Sequence, residues 1–147
     1  MGKFDFEIDP AFLRSLGKLA EVEKYAPQMI DAATPILEKN IKSALAGHRR
    51  TGTMVNSVKR TRAKKAKNGT YLATVRPTGI SKKYIDKHGK VKKRKTPVRN
   101  MEILAHLEYG TKNQAPTPLL TKAVNDCRAE CESAMAEVFR RESGVEG

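Results

Sequence analysis

Two residues of this sequence have the types needed for acid–base chemistry and lie close together, His106 and Glu108. An imidazole and a carboxylate within hydrogen-bond reach can exchange a proton with a substrate. These two residues are two positions apart in a segment that the sequence predicts to be helical, and such side chains point to nearly opposite sides of a helix. We therefore expect surface or turn-stabilising roles for both residues and no shared proton.

Cysteine and histidine, the usual ligands of transition metals, are the next candidates. Cys127 and Cys131 lie four positions apart in a predicted helix, where they share a face but lack the converging geometry of a disulfide. A zinc site would need two further ligands, and the three histidines, at positions 48, 88 and 106, are scattered. We predict two buried, small apolar side chains in a reducing compartment, with no metal and no cofactor.

Common catalytic motifs are absent: the sequence has no glycine-rich phosphate loop, no nucleophile elbow and no His-Glu-x-x-His pair. Trp is absent and aromatic residues make up 5% of the chain, which disfavours a large aromatic pocket. No apolar run is long enough to span a membrane, and Met1 to Pro10 lacks the apolar core of a signal peptide. These observations predict a protein that is not an enzyme and has no membrane partner.

The net charge of +13 is concentrated in the middle of the chain. From Lys59 to Arg99 there are sixteen Lys and Arg residues and one acid, Asp86, whereas the rest of the chain has thirteen basic and fifteen acidic residues. Such a segment repels itself and favours a polyanionic partner or free solvent. Three interpretations stay open: contact with nucleic-acid phosphates, an assembly arm that meets an acidic neighbour or lines a channel, and a solvated loop.

Twelve basic residues of this segment are the candidates for contact with a partner or with DNA. They are Lys64, Lys65, Lys67, Lys82, Lys83, Lys87, Lys90, Lys92, Lys93, Arg94, Lys95 and Arg99. Only Tyr71 and Tyr84 lie nearby for stacking on bases, and no base-reading module is recognisable. Any contact with DNA is therefore expected to be independent of base sequence.

The elements that must position these residues are predicted from apolar spacing and from helix and turn signals. A short helix is expected over residues 10–20 with Asp9 as its N-cap, and a longer one over residues 26–45 that ends at Gly47. Pro35 lies inside the longer helix and predicts a kink or a break there.

Two further helices are predicted near the C-terminus. One covers residues 100–109, with Asn100 as its N-cap and Gly110 at its end. The other begins with Thr117 as N-cap and Pro118 in the first helical position, and it has a continuous apolar stripe.

Strands are predicted between the two pairs of helices. Residues 58–66 and 70–76 should pair across Asn68-Gly69, which is a strong hairpin signal. Residues 78–99 are expected to be an irregular and mobile basic arm, in which Lys87-His88-Gly89 can turn a second, exposed hairpin.

The predicted fold is α+β, in one domain over residues 1–147. It has N-terminal helices, a small antiparallel sheet with the basic hairpin arm, and a long C-terminal helix that runs to about Arg141. Residues 142–147 are expected to form a loose tail, and Thr51–Val58 a helical turn or the start of a strand.

Two stretches resemble a family of phage tail components. Thr51-Gly52-Thr53-Met54-Val55-Asn56-Ser57-Val58 is similar to the T-G-x-[LM]-x-x-S-[IV] element that follows the first long helix of that family. Residues 105–111 resemble its A-x-x-[VL]-E-[FY]-G-T helix end, and residues 115–123 its A-x-P-F-L-x-P-A segment. The family comprises the head–tail joining, or tail-completion, proteins of siphoviruses and prophages, and the resemblance covers about residues 25–140.

The residues that match are expected to build the scaffold. They are Thr51, Gly52, Met54, Ser57, Glu108, Tyr109, Gly110, Thr111, Pro118, Leu120 and Ala123. The chain departs from the family at Leu119, where Phe is usual, and at Lys122, where Pro is frequent, and its basic arm is longer. We expect Glu108 to accept N–H groups from the turn at Gly110 and Thr111, with Gly110 supplying a positive φ.

The resemblance implies a structural morphogenesis protein that joins tail to head as an oligomeric ring around the DNA channel. The related rings are commonly sixfold, which implies a hexamer, and the implied neighbours are head-completion, tail-terminator and tail-tube proteins. The implied location is the neck or tail of the virion, assembled in the cytoplasm of the bacterial host. The hairpin at Asn68-Gly69 and the basic arm are the expected contacts. The alternative is a sequence-independent nucleic-acid-binding protein that uses residues 59–99.

Overall fold

The computed structural model describes residues 22–47 and 53–144, and these form an α+β fold, as predicted. The helices are α1 (Val22–Ala46), α2 (Thr53–Asn56), α3 (Asn100–Tyr109) and α4 (Leu119–Ser143). The strands are β1 (Val58–Arg60), β2 (Lys64–Lys65), β3 (Tyr71–Leu72), β4 (Val75–Pro77), β5 (Ile80–Ile85) and β6 (Val91–Arg99). The helix predicted over residues 10–20, the pair Thr51 and Gly52, and residues 145–147 of the predicted tail lie outside the described residues.

The core lies between the two long helices, α1 and α4. Each has apolar residues three or four positions apart, which places them on one side of the helix. The buried residues are Met29, Ala33, Leu37, Ile41 and Leu45 on α1, and Ala123, Cys127, Cys131, Met135, Val138 and Phe139 on α4. The rings of Tyr25 and Phe139 meet edge to face at 6.2 Å, and the Cys131 thiol lies 3.7 Å from the Ala33 carbonyl. The helices are therefore antiparallel, and the predicted apolar stripe of the last helix is confirmed.

Helix α1 begins at Val22, earlier than predicted, and is continuous through both of its prolines, Pro27 and Pro35. Proline lacks the N–H that would bond to the carbonyl four residues back, which for Pro35 is that of Asp31. The Thr34 hydroxyl donates to this carbonyl instead, at 3.4 Å. The local substitute donor lets the helix continue, so Pro35 marks no break in it.

Residues 58–77 form the first hairpin, in which β1 pairs with β4 and β2 with β3, both antiparallel. The predicted turn at Asn68-Gly69 is confirmed. Gly69 has a φ of +83°, and its amide donates to the Ala66 carbonyl at 3.0 Å. Val58 and Pro77 are buried, whereas Leu72 is exposed. The inner face of the hairpin lies on α1.

A β-bulge divides the first hairpin into its two strand pairs. Arg60 pairs with Val75, but Lys64 pairs with Leu72, so the register shifts by one residue between them. The amide of Ala63, inside the bulge, donates to the carboxylate of Asp31 on α1 at 2.8 Å. Asp31 of α1 thus accepts a hydrogen bond from a backbone N–H that has no partner on the opposite strand.

Residues 80–99 form the second hairpin, in which β5 and β6 pair antiparallel. The predicted turn is confirmed: Gly89 has a φ of +75° and its amide donates to the Asp86 carbonyl at 3.0 Å. The prediction of an irregular segment was wrong over these residues, because strand pairing satisfies the backbone without requiring an apolar core. One register irregularity follows Ser81, and the predicted mobility stays a prediction.

Helix α3 has the predicted bounds, but Asn100 is its first residue and not its N-cap. Arg99, still extended, occupies the cap position without a side-chain cap bond. The Asn100 backbone amide donates to the Gly79 carbonyl at 3.0 Å, and its side-chain amide donates to the Thr78 carbonyl at 2.8 Å. Asn100 therefore connects the start of α3 to the base of the second hairpin.

Helix α4 begins at Leu119, with Pro118 in the cap position. Thr117 was wrongly predicted to be the N-cap, and neither residue makes a side-chain cap bond. The helix ends at Ser143, slightly beyond the predicted Arg141, and Gly144 closes it in the left-handed conformation. Part of the predicted loose tail therefore belongs to α4.

Candidate functional site

Glu108 caps helix α4 from outside that helix. The carboxylate is buried, with 6% of the residue exposed. It accepts the backbone amides of Leu120 at 2.8 Å and Thr121 at 3.1 Å, and the Thr121 hydroxyl at 2.6 Å. These amides are the second and third of the helix, which an N-cap side chain normally satisfies, and a negative charge there also complements the helix dipole. The prediction that Glu108 accepts bonds from the Gly110–Thr111 turn was therefore wrong, because the carboxylate reaches across to α4.

His106 and Glu108 form no pair. Glu108 is buried against the start of α4, whereas His106 is exposed on the other side of α3. The predicted separation of the two side chains is confirmed, and the carboxylate that first suggested acid–base chemistry has a structural role.

Gly110 allows the chain to turn back sharply after α3. Its φ is +76°, and a Cβ at this position would lie 2.7 Å from the Gln114 carbonyl oxygen and 2.8 Å from the Pro116 nitrogen. Thr111 and Gln114 bond to each other's backbone across this turn, and the Thr117 amide donates to the Leu107 carbonyl at 2.7 Å. Only glycine fits here, and the turn brings the start of α4 to Glu108.

The described part of the first motif stretch holds the base of both hairpins. Met54 packs against the core, and the Ser57 hydroxyl donates to the Met54 carbonyl at 2.7 Å, which closes the single turn of α2. The Ser57 carbonyl accepts both the amide and the hydroxyl of Thr78 at 2.9 Å. Ser57 therefore connects the start of the first hairpin to the segment that leads into the second.

The remaining motif residues divide between core and surface. Ala123 is buried and Leu120 is partly buried against the core. Pro118 and Thr111 are exposed, and Tyr109 is 67% exposed. An aromatic ring this exposed, between a buried capping residue and a required glycine, is available to a partner.

In the first hairpin, two basic residues pair with acids of α1: Lys65, which is one of the candidates, and Arg60, which is not. Arg60 lies 2.8 Å from Glu38, which also binds Lys42 at 2.7 Å, and Lys65 lies 3.2 Å from Glu23. The hydrogen bond from Lys42, with that from Arg60, holds the pKa of Glu38 below its ordinary value. Lys64 and Lys67 are exposed and make no ion pair with the described part of α1.

Sequence reasoning missed the acids that hold this hairpin: Glu23, Asp31 and Glu38. A signal was present, since the three lie within roughly a quarter-turn of one another around a helix with 3.6 residues per turn. Their partners, however, lie more than twenty positions away along the chain: Arg60, the backbone amide of Ala63, and Lys65.

In the second hairpin, Asp86 organises the turn. Its carboxylate accepts the amides of His88 at 2.9 Å and Lys90 at 3.0 Å and pairs with Lys92 at 3.0 Å. The bond from Lys92, followed by that from the Lys90 amide, lowers the pKa of Asp86. The guanidinium of Arg94 lies 5.5 Å from the centre of the Tyr84 ring, so that these residues stack within the hairpin.

The other candidate cations of this hairpin are exposed and make no ion pair in the described part of the chain. They are Lys82, Lys83, Lys87, Lys90, Lys93, Lys95 and Arg99. Apart from the contacts between its own strands, the hairpin meets mainly α3, into which β6 continues. The structure therefore brings the predicted basic residues together on a hairpin that stands away from the α1–α4 core.

No family model, curated protein or solved structure matches this chain. The phage tail-component family thus stays a prediction based on the two motif stretches. No helix within residues 22–47 and 53–144 is long and apolar enough to cross a membrane.

The two cysteines are buried and unbonded, as predicted. Their sulfurs are 3.9 Å apart, and burial raises the pKa of the Cys131 thiol to about 12. The thiolate, which is the reactive and metal-binding form, is therefore strongly disfavoured. Across the described residues no three His, Cys, Asp or Glu side chains converge as a metal site. A groove beside α1 that is open to solvent is lined by Glu38, Lys42 and Arg60 among others.

Proposed function

We propose that this chain is a structural protein of the phage neck, which joins the tail to the DNA-filled head as a ring around the channel. The two motif stretches support this function, because they resemble those of tail-completion proteins. Their matching residues hold the fold together through Ser57 and Glu108. A scaffold of this kind supplies rigid surfaces for neighbours, and the proposed role is structural and not catalytic.

The observation that carries the proposal is the second hairpin, residues 80–99. A two-stranded hairpin is marginally stable in water unless another element covers one of its faces. This one has mostly exposed residues, including Val91 at 58% and Tyr84 at 38%, while the helical core is packed without it. Such an element acquires stability from a partner, which is what an assembly protein requires.

The first hairpin supplies the proposed contact between copies of the chain. Leu72 is 45% exposed on its outer face, close to the Asn68-Gly69 turn, and Tyr109 adds a second exposed apolar group. Exposed aliphatic and aromatic side chains of this kind are typical of the centre of protein interfaces. A ring requires head-to-tail contacts that close, so one surface of each copy must meet a different surface of the next. The proposed neighbours of the ring are head-completion, tail-terminator and tail-tube proteins.

Native mass spectrometry tests this function on the chain alone and mixed with the proteins encoded beside it. We expect a closed ring of one stoichiometry, with six copies as in related rings. Leu72→Asp should abolish the ring because it places a charge in the contact, whereas Ser133→Asp, which adds the same charge at an exposed position of α4, should leave it intact. A chain that stays monomeric with every neighbour contradicts the proposal. Tight duplex-DNA binding by such a monomer would favour the alternative, a nucleic-acid-binding protein acting alone.

A further inference from the structure

The cations on the two faces of the second hairpin have different partners. Beyond the irregularity at Ser81, Lys83 pairs with Lys93, Tyr84 with Lys92, and Ile85 with Val91. Residues directly opposite each other share a face of the hairpin, and successive residues alternate between faces. One face therefore carries Lys83, Ile85, Val91 and Lys93, which we call the Lys83 face. The other carries Tyr84 and Lys92.

Cations beside Tyr84 are already engaged within the chain. Lys92 is paired with Asp86 at 3.0 Å, and Arg94 stacks on the Tyr84 ring. Asp86 is the only acid of the hairpin, and its carboxylate is directed to Lys92 and to the turn amides. No acid of the hairpin remains for the Lys83 face.

On the Lys83 face, Lys83 and Lys93 are directly opposite each other, and neither pairs with an acid of the described residues. Cβ atoms of directly opposite residues are about 5 Å apart, and like charges there destabilise the strand pair. Both lysines are exposed, and neither has an ion pair in the described part of the chain. The arrangement opposes folding of the free hairpin and is stabilised when an anion lies between the two lysines.

A second pair of this kind lies on the first hairpin, where Lys59 is directly opposite Arg76 and both are exposed. The acids of α1 meet Arg60 and Lys65, and within residues 22–47 and 53–144 Lys59 and Arg76 have no ion pair. Each hairpin thus has some cations that pair with acids and one directly facing pair that meets no acid of the described residues.

The composition of the second hairpin favours phosphates over protein carboxylates as the missing anions. Seven of its nine basic residues are lysine. Protein interfaces are depleted in lysine and enriched in arginine, which forms bidentate bonds to carboxylates. Lysine acts as a point charge, which suffices for contact with a phosphate backbone that is independent of base sequence. The major groove of duplex DNA also admits a two-stranded β-ribbon.

We propose that the Lys83 face of the second hairpin binds the phosphate backbone of duplex DNA, with Lys83 and Lys93 as the contacting pair. The inference goes beyond the joining function, because a neck ring can form from protein contacts alone. It assigns the contact to one face of the hairpin and separates it from cations that only stabilise the fold.

The test compares two double variants that each remove two positive charges. Lys83→Gln with Lys93→Gln removes the proposed contacts, and Lys65→Gln with Lys92→Gln removes two lysines that are already ion-paired. Fluorescence anisotropy measures the binding of each full-length protein to duplex DNA of mixed sequence across a salt series. Circular dichroism and hairpin amide exchange verify that every variant is folded.

We expect the first variant to weaken binding at low salt about tenfold or more and to reduce the slope of log K against log salt by about two. The affinity of the Lys65 and Lys92 control for duplex DNA should stay within about twofold of that of the unmodified chain, because the two lysines it removes pair with the chain's own acids. Lys83→Arg with Lys93→Arg, which keeps both charges, should retain the unmodified affinity and slope.

Equal losses in the two double variants would overturn the proposal, because net charge alone would then explain binding. Unchanged binding by the Lys83 and Lys93 variant would also overturn it. If Lys83 and Lys93 contribute more to the binding of polyglutamate than to the binding of duplex DNA, the Lys83 face is assigned to an acidic protein. A DNA-binding failure with ring formation intact would refute this inference and leave the joining function standing.

Discussion

The two hairpins have nearly the same charge, +7 for residues 58–77 and +8 for residues 80–99, and both turn on a glycine with positive φ. They differ in the residues of the rest of the fold that their strands contact. The first hairpin buries Val58 and Pro77 against the helical core and meets Glu23, Asp31 and Glu38 of α1. Among the described residues, the acid that pairs with a cation of the second hairpin is its own Asp86. Basic composition therefore predicts neither exposure nor function, and the decisive quantity is whether acids from elsewhere in the fold reach the cations.

The largest expected change in stability comes from a substitution in the helical part of the fold, to which both hairpins are attached. Glu108→Ala removes three hydrogen bonds at the start of α4 and leaves the amides of Leu120 and Thr121 without their capping acceptor, which should cost about 3 kcal/mol of unfolding free energy. Amides of β1 and β4 should then exchange faster, because they open only when the core unfolds. Amides near the second turn, which open locally, should change little.

Hydrogen exchange and chemical denaturation of this variant together check the expectation. Glu102→Ala, on the exposed side of the same helix, is the control and should leave both hairpins unchanged. If the second hairpin loosens as much as the first, it is part of the cooperative core and the comparison fails.

A matched pair of truncations compares the packing of the two hairpins directly. Val58 is 2% exposed and Val91 is 58% exposed. Val58→Ala should lower the unfolding free energy by about 2 kcal/mol, since it loses apolar burial and leaves a cavity. Val91→Ala should change it by less than about 0.5 kcal/mol. Thermal unfolding measures both, and similar losses would show that the second hairpin is packed in solution.

Some of this contrast was predictable from the sequence and some was not. Both turns were, because Asn68-Gly69 and Lys87-His88-Gly89 specify backbone conformation locally. The acid partners were not, since Asp31 and Ala63 are 32 positions apart and come together only through packing of the hairpin on α1.

The candidate site shows the same limit. The twelve candidate cations were found by counting charges. The sequence could not separate Lys92, which pairs with Asp86, from Lys93, which has no ion pair where the structure describes the chain. That distinction depends on strand register, which a single irregularity after Ser81 resets. Glu108 was identified as a scaffold residue, yet its partners lie twelve and thirteen positions away and were assigned to the wrong turn.

Acid should loosen the two hairpins in different ways. The pKa of Glu38 is lowered in the fold, so its contribution to stability is full above its ordinary pKa of 4.5 and disappears as the pH falls through the lowered value. Glu38→Gln should cost about 0.5 kcal/mol of unfolding free energy at neutral pH and nothing in strong acid.

The pKa of Asp86 is lowered in the same direction, but its partners all lie within the second hairpin. Asp86→Asn should therefore speed exchange of the amides of His88 and Lys90 above an ordinary pKa of 3.8 and leave global unfolding unchanged. Denaturation across a pH series, with residue-resolved exchange, distinguishes the two responses. A global shift from Asp86→Asn would contradict the assignment.

The smallest expected effect comes from reversing one charge of each facing pair. Arg76→Glu, opposite Lys59, should raise the melting temperature by about 1–2 °C, because an attractive cross-strand pair gains about 0.5 kcal/mol. Lys93→Glu, opposite Lys83, should slow local exchange of the second hairpin without moving the melting temperature. Both gains should fade at high salt. Gains that persist in high salt would mean that charge is not their cause.

The central claim is that the second hairpin is a partner-binding arm attached to a body that is stable without it. Hydrogen exchange, measured on the free chain and on the chain assembled with its neck neighbours and duplex DNA, tests this most directly. The account predicts fast exchange along β5 and β6 in the free chain, strong protection of both strands in the assembly, and little change in β1 and β4. Equal exchange of the second hairpin in the two states would contradict it.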